Sequence, residues 1–312
     1  MIRSFFGQSV YTNLSNTMEI DEKLEDLYMP SKWVVRVPVE QAVPVHVKVT
    51  IEESERVRNN VKGRLGVKYG SDVGDVVDLF NEECSSKQMM VYLSGGYWQE
   101  LTGDISAYTV APLVEAGHCV AVVHYDRAPK QDMGGIVAQV ERAAAWLVRY
   151  AKEEGMTVWL SGHSAGSHLC AMLLSSGWYE GLPHRERNIV RGVVHLSGVF
   201  DLLPILSTSV NTPLKMTKFE AEQFSPLGQS NMDKLSTAKH LQHMVVVGEN
   251  DSPAFKLQAE QYVEELQKRG CQVSHSVQEK EDHFSLVERL MEGDYSLTQQ
   301  MLAFMETVKD GN

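Results

Sequence analysis

A serine placed between glycines is the part of this sequence best suited to chemistry. Residues 162–166 are Gly-His-Ser-Ala-Gly, a G-x-S-x-G pattern between an apolar run and a helical pattern. In a strand–turn–helix context the central serine, Ser164, sits on a sharp and strained turn where its hydroxyl is exposed. Gly162 and Gly166 suit that turn, because a side chain at either position would collide with the adjoining strand or helix. The pattern predicts Ser164 as a nucleophile.

A serine hydroxyl is a weak nucleophile, so it needs a base and a third group that orients the base. Where a serine lies on such a turn, the acid and then the histidine follow it along the chain. Asp251 follows the apolar run 244–247, and His283 follows the run 273–277. Both are therefore predicted in loops at the edge of the sheet that carries Ser164.

Alternatives stay open at each of these positions. Glu249 lies close enough to Asp251 to compete for the acid role, and Asp251 itself could cap a helix or a turn. His283 and its neighbour Asp282 could likewise serve only as a cap. His163, inside the serine turn, is predicted to pack with its side chain pointing away from Ser164.

The run 89–93 is followed by Ser-Gly-Gly-Tyr-Trp, a loop that can supply hydrogen-bond donors. Acyl transfer needs backbone N–H groups aimed at the oxygen that becomes negative in the tetrahedral intermediate. Glycine amides can face a substrate without obstruction by a Cβ atom. Gly95 and Gly96, together with the amide of Ala165, are therefore the predicted oxyanion hole.

Composition excludes several other classes of function. The chain has 312 residues and a net charge of −12, without a basic stripe, which argues against nucleic acid or an anionic membrane as partner. No apolar run reaches the length of a membrane span. There is no H-E-x-x-H and no phosphate-binding glycine loop, and His163 and His168 are poorly spaced for a shared metal. No metal and no cofactor are expected.

Cysteine usage and the first residues favour a cytoplasmic location. Cys84, Cys119, Cys170 and Cys271 are widely spaced and form no C-x-x-C pair. The first residues, Met-Ile-Arg-Ser-Phe-Phe-Gly, lack the apolar core of a secretory signal. Reduced thiols are therefore expected.

Apolar runs alternate with helical patterns along most of the chain. The strand candidates are an antiparallel hairpin at 65–69 and 75–80, then 89–93, 119–125, 157–161, 192–196, 244–247 and 273–277. The helical patterns are 105–116, 135–152, 165–175 and 255–269, with a charged stretch at 52–64. This alternation predicts an α/β fold with a mostly parallel sheet, an antiparallel N-terminal hairpin and helices on both faces. One domain is expected over 1–312, with an N-terminal extension at 1–60 and a lid inserted at about 200–240.

Together these residues resemble the α/β-hydrolase superfamily, in its hormone-sensitive-lipase-like esterase branch, from about Leu65 to the C-terminus. That branch commonly carries His-Gly-Gly-Gly and Asn-Tyr-Arg-Leu-Ala-Pro. This chain has Ser-Gly-Gly-Tyr-Trp at 94–98 and His-Tyr-Asp-Arg-Ala-Pro at 124–129 instead. The Gly-Gly-Tyr-Trp form, with Pro-Ser-Lys-Trp at 30–33, resembles the kynurenine formamidase (arylformamidase) family. The serine at Ser94 is most similar to the insect enzymes.

The resemblance implies a serine hydrolase that cleaves N-formyl-L-kynurenine to L-kynurenine and formate through a formyl-enzyme, in tryptophan catabolism. Its partner would be a small aromatic formamide, against which Tyr97 and Trp98 would stack unless they only pack in the interior. A broad-specificity carboxylesterase with the same triad is the main alternative. A non-catalytic binding protein on a hydrolase fold is the other. A homodimer stays an open expectation, as does the effect of Ser94 where the family usually has histidine.

Overall fold

The computed structural model describes residues 20–307, so the N-terminal sequence used to predict the location lies outside the described part. The strands are β1 Gly63–Lys68, β2 Val76–Phe80, β3 Gln88–Leu93, β4 Cys119–Val123, β5 Thr157–His163, β6 Val190–Leu196, β7 Gln242–Gly248 and β8 Gln272–Gln278. The α-helices are α1 Glu22–Leu27, α2 Val39–Asn60, α3 Val110–Glu115, α4 Met133–Glu153, α5 Ala165–Ser175, α6 Trp178–Gly181, α7 His184–Arg187, α8 Asn211–Leu214, α9 Lys218–Gln223, α10 Gln229–Lys234, α11 Pro253–Lys268, α12 Ser285–Glu288 and α13 Ser296–Glu306. Single 3-10 turns occur at Pro30–Trp33, Gly103–Ile105, Ala107–Thr109, Pro204–Ser207, Leu235–Ala238 and Arg289–Met291.

The strands form one eight-stranded sheet in the order β1-β2-β4-β3-β5-β6-β7-β8. Strand β2 pairs antiparallel with both β1 and β4, and every other neighbouring pair is parallel. The predicted mostly parallel sheet with an antiparallel opening pair is confirmed. Because β3 and β5 to β8 run the same way, their C-terminal ends meet at one edge, where ligands of such sheets bind.

Helices cover both faces of the sheet, as the apolar strands require. Alternate residues of β3 show the division: Met89 and Val91 join a core with α4, α5 and α11, whereas Met90 and Tyr92 join a second core with α3 and α13. Successive side chains of a strand point to opposite faces, so a strand covered on both sides must be apolar throughout.

Two helices differ from the sequence-based expectation. The stretch 105–116 forms two 3-10 turns and then α3, rather than one helix. Pro112 accounts for this: in α3 it falls in the first turn, where its missing N–H costs little, whereas a helix from 105 would place it in the interior. Helix α2, by contrast, is longer than predicted: it begins at Val39, well before the predicted stretch 52–64, and continues through Pro44.

The segment between β6 and β7 folds as short helices and turns, and Ser209 and Val210 from it reach the cavity described below. Its behaviour as a lid stays a prediction. Within residues 20–307, no helix has the length and apolarity needed to cross a membrane. The four cysteines are buried free thiols.

Candidate active site

The turn between β5 and α5 presents Ser164. Its backbone angles, φ 53° and ψ −116°, lie outside the regions favoured by residues with a side chain. A Cβ on Gly162 would lie 2.3 Å from the carbonyl carbon of Gly166, and one on Gly166 would lie 2.0 Å from the Leu93 oxygen. The flanking glycines therefore allow strand and helix to approach closely enough to hold the serine in this strained conformation.

The loops after β7 and β8 bring an acid and a histidine together. Nδ1 of His283 lies 2.9 Å from Oδ2 of Asp251, and both side chains are buried. Because the carboxylate accepts this hydrogen bond, Nδ1 carries the hydrogen and Nε2 is left as an acceptor. Glu249 instead accepts the backbone N–H of Lys280 at 2.7 Å. The structure thus pairs Asp251, and not Glu249, with the histidine.

Ser164 and His283 line the same cavity, which has a volume of about 350 Å³. No hydrogen bond joins them among the described contacts, so the direct contact expected between serine and base is not formed here. Catalytic hydrogen bonds are often long or poorly aligned in free enzymes and shorten when substrate binds. The triad assignment therefore stays a prediction, of which one contact is present.

The loop after β3 lies against the serine. A Cβ on Gly95 would fall 3.1 Å from the Ser164 Cβ. Gly96 has φ 98°, and its carbonyl oxygen accepts the amides of Gln99 and Glu100, each at 2.9 Å. Within residues 20–307, the amides of Gly95, Gly96 and Ala165 donate no hydrogen bond to another protein atom. Backbone donors without a partner beside a nucleophile are what an oxyanion hole requires.

The two aromatic residues of this loop separate. Tyr97 lines the cavity and donates its hydroxyl to the backbone oxygen of Tyr28 at 2.5 Å. Trp98 is fully buried and meets the ring of His168 edge-on, with centroids 4.9 Å apart. Of the two roles that the sequence left open, Trp98 therefore takes the packing role, and only Tyr97 is placed to contact a ligand.

His163 contacts the loop that carries His283. Its ring is buried, as expected, but it lines the cavity and lies 4.6 Å from the His283 ring. Its Nε2 donates to the backbone oxygen of His283 at 2.9 Å, since a carbonyl oxygen can only accept. Burial, with the nearby charges of His283 and His46, holds its pKa well below the ordinary value. His163 is thus a neutral support for the histidine loop.

Part of the cavity wall comes from the N-terminal region, which the sequence did not resolve. Pro30 and Ser31, in the Pro-Ser-Lys-Trp turn, lie on one side, and His46 of α2 lies on another. In the sequence, only the Pro-Ser-Lys-Trp motif at 30–33 pointed to this wall. Within residues 20–307, no group of histidine, cysteine and acidic side chains could hold a metal ion.

The chain is 38% identical to kynurenine formamidase of Salmo salar over 290 residues, which are 91% of this chain and 96% of the relative. The chain belongs to the kynurenine formamidase family. Residues 77–264 also match the family model described as BD-FAE. Kynurenine formamidase of Drosophila melanogaster is 28% identical over 71% of this chain and 75% of its own length, so this insect relative is less similar than the fish one.

Solved structures agree on the fold. A Silicibacter protein described as a candidate thioesterase superposes with a TM-score of 0.75 at 27% identity, covering 89% of this chain and 98% of that one. Esterases, including one of the hormone-sensitive lipase family, share the same α/β-hydrolase fold. The family and the fold together identify this chain as a hydrolase.

Proposed function

We propose that this protein hydrolyses N-formyl-L-kynurenine to L-kynurenine and formate. One observation carries the proposal: Ser164, the Asp251-bound His283 and Gly96 of the glycine loop line one cavity, and within residues 20–307 the amides of that loop's two glycines bond no protein atom. That set supplies a nucleophile, an oriented base and donors for an oxyanion. The family supplies the class of substrate.

In the first half of the reaction, Nε2 of His283 takes the proton of the Ser164 hydroxyl as Oγ attacks the formyl carbon. The carbonyl oxygen becomes negative and is bound by the amides of Gly95, Gly96 and Ala165. Asp251 holds the imidazole in the required tautomer and stabilises its positive charge. The C–N bond then breaks, and His283 gives its proton to the leaving aromatic amine, which leaves a formyl ester on Ser164.

In the second half, a water molecule attacks the formyl ester. His283 takes a proton from the water and returns it to Ser164 Oγ as the ester bond breaks, and formate leaves. The serine and the histidine are thereby restored. The contact between Ser164 and His283 shortens on substrate binding in this scheme.

The shape of the site favours a small acyl group and a larger leaving group. We expect little room for an acyl chain beside the amides, because even a Cβ added at Gly95 would lie 2.9 Å from Nδ1 of His163 and 3.1 Å from the Ser164 Cβ. A formyl group needs no such room, because it carries a hydrogen in place of a chain. Tyr97 and Phe284 offer aromatic contact elsewhere in the cavity, where the amine would lie.

The test compares two substrates on the purified chain. We expect kcat/KM for N-formyl-L-kynurenine to exceed that for p-nitrophenyl octanoate. Efficient cleavage of the octanoyl ester with negligible turnover of N-formylkynurenine would overturn the proposal and favour a broad-specificity carboxylesterase. Loss of turnover of both substrates in Ser164→Ala would assign each activity to this site rather than to a contaminant.

A further inference from the structure

An arginine from the N-terminal region reaches the loop that carries the proposed base. Arg36 lies between the 3-10 turn Pro30–Trp33 and α2. Its Nε donates to Oδ2 of Asp282, and its Nη2 donates to the carboxylate of Glu288, each at 2.8 Å. These two residues are 246 and 252 positions away along the chain, and both side chains are buried. One guanidinium therefore joins the N-terminal region to both ends of the segment 282–288.

Asp282 immediately precedes His283 and shapes the turn that follows it. Its Oδ1 accepts the backbone amides of Phe284 at 2.9 Å and Ser285 at 2.8 Å, and its own amide donates to Oγ of Ser285 at 2.9 Å. The other carboxylate oxygen, Oδ2, is the one that accepts from Arg36. Because one carboxylate binds both the turn and the guanidinium, a shift of Arg36 would move the backbone that carries His283.

His283 is held by two further contacts. Its carbonyl oxygen accepts from Nε2 of His163 at 2.9 Å, and its Nδ1 lies 2.9 Å from the carboxylate of Asp251. These contacts come from β5 and from the loop after β7, so both are part of the sheet edge. Arg36 supplies a third anchor from outside the sheet, through the residue before the base.

The two carboxylates depend on Arg36 for their charge balance. Within residues 20–307, no other lysine or arginine forms an ion pair with Asp282 or Glu288, and Glu288 also bonds Nδ1 of His46 at 2.9 Å. Removing one partner of a buried ion pair is strongly unfavourable, because the remaining charge is left uncompensated. Without the guanidinium, the partner that keeps Asp282 buried would be lost, and we expect His283 to move with it.

We propose that Arg36 is a positioning residue for hydrolysis. It acts through Asp282 to hold His283 where its Nε2 can reach the serine. The inference rests on the proposed function only for the roles of Ser164 and His283, and not for the identity of the substrate. Displacing a catalytic group by about 1 Å can cost about a hundredfold in rate. The N-terminal region, which supplies part of the cavity wall, thereby also supports the base.

The first experiment measures steady-state kinetics of Arg36→Ala with N-formyl-L-kynurenine and with p-nitrophenyl acetate. We expect kcat to fall by about ten- to hundredfold for both substrates, because the same base serves both. KM should change little, since Arg36 is not among the described residues that line the cavity. The ester also separates this inference from the proposed function: a chain that cleaves the ester but not N-formylkynurenine would remove the proposed substrate and still test Arg36.

Arg142→Ala is the matched control. Arg142 also pairs with two carboxylates, those of Asp72 and Asp75, but in the turn between β1 and β2. Its replacement should leave kcat unchanged. An equal loss of kcat in the two variants, or no loss in a folded Arg36→Ala, would overturn the proposal.

Chemical rescue separates positioning from a general loss of stability. The Arg36 side chain is 31% exposed, so in Arg36→Ala we expect solvent to reach the space beside Asp282 and Glu288. Guanidinium chloride at millimolar concentration, far below the denaturing range, should restore part of kcat. Urea at the same concentration has a similar shape but no charge, and it should restore nothing. Equal responses to the two compounds, or no response to either, would overturn the proposal.

A second variant keeps the proposal testable if Arg36→Ala fails to fold. Asp282→Asn retains an oxygen for the amides of Phe284 and Ser285 but turns an amide group toward the guanidinium. We expect kcat to fall by about ten- to hundredfold here as well, and full activity would overturn the proposal. Where both variants fold, the double variant should lose little more than either one, because the two residues act through one contact. Losses that multiply would show that Arg36 does not act through Asp282.

Discussion

The two histidine–carboxylate pairs of the cavity are built alike but differ in what else each carboxylate holds. In both pairs, His283 with Asp251 and His46 with Glu288, Nδ1 lies 2.9 Å from a buried carboxylate oxygen. Asp251 otherwise accepts only the amide of Ser252, and within residues 20–307 no lysine or arginine forms an ion pair with it. Glu288 also binds Arg36. Asp251 therefore acts on one imidazole alone, whereas Glu288 is shared between an imidazole and a guanidinium and ties α12 to the N-terminal region.

The largest loss of activity is expected when the nucleophile or its base is removed. Ser164→Ala should lower kcat for N-formylkynurenine by about a millionfold, and His283→Ala by a similar factor, because triad members act as a unit. The double variant should lose little more than either single variant. Steady-state kinetics measure all three, and losses that multiply would contradict a shared nucleophile–base mechanism.

The next largest effect is expected when the carboxylate of one pair is replaced, and comparing the two replacements separates the pairs. Asp251→Asn should lower kcat by about ten thousandfold for every substrate, because an amide can hold the imidazole in the wrong tautomer. Glu288→Gln should lower kcat much less, because Glu288 bonds Arg36 and His46 and not the base. Glu249→Gln is the matched control, since Glu249 bonds the amide of Lys280 and not the histidine. A kcat loss in Glu249→Gln as large as that in Asp251→Asn would reverse the acid assignment.

A smaller effect is expected at the oxyanion loop. In Gly95→Ala the new Cβ would lie 2.9 Å from Nδ1 of His163, so the loop must shift away from Ser164. Displacing one oxyanion donor should lower kcat by about a hundredfold. Gly181→Ala serves as the control, because a Cβ at Gly181 meets no atom within 4 Å. Full activity of a folded Gly95→Ala variant would remove this loop from the oxyanion hole.

The smallest effect concerns buried histidines that have no carboxylate. Burial lowers the pKa of both His168 and His243 to about 4. In the unfolded chain a histidine titrates near pH 6.5, so between these values the unfolded state binds the extra proton and stability falls as pH falls. Each such histidine should contribute about 1.4 kcal/mol per pH unit to the slope of the unfolding free energy.

Urea unfolding across this pH window measures that slope. His243→Gln should make it shallower by the share of one histidine, and the exposed His184→Gln should leave it unchanged. A slope that does not change in His243→Gln would show that His243 is not held neutral in the folded protein.

The reactive pair could be predicted from sequence because topology constrains it. In a parallel sheet each strand must end at the same edge, so residues that follow the apolar runs, such as Asp251 and His283, meet near Ser164. The glycine requirements of the serine turn are equally local. The direction of side chains on the oxyanion loop was not predictable, since Tyr97 and Trp98 both have positive φ and yet point to different surroundings.

The second pair could not be predicted for two physical reasons. The buried stripe of α2 contains Ala42, His46, Thr50, Ser54 and Val57, so it lacks the apolar periodicity that identifies an amphipathic helix. In addition, His46 and Glu288 are 242 positions apart, and no local rule relates them. The catalytic residues of this site could therefore be predicted from the sequence, but the wall that α2 contributes to the cavity could not.

Covalent labelling tests the central assignment most directly. The full-length chain is treated with a fluorophosphonate, and the labelled peptide is identified by mass spectrometry while hydrolysis of N-formylkynurenine is followed. The account predicts a single label on Ser164, loss of activity in proportion to labelling, and protection by N-formylkynurenine. Hydrolysis of N-formylkynurenine that persists after Ser164 is fully labelled would contradict it.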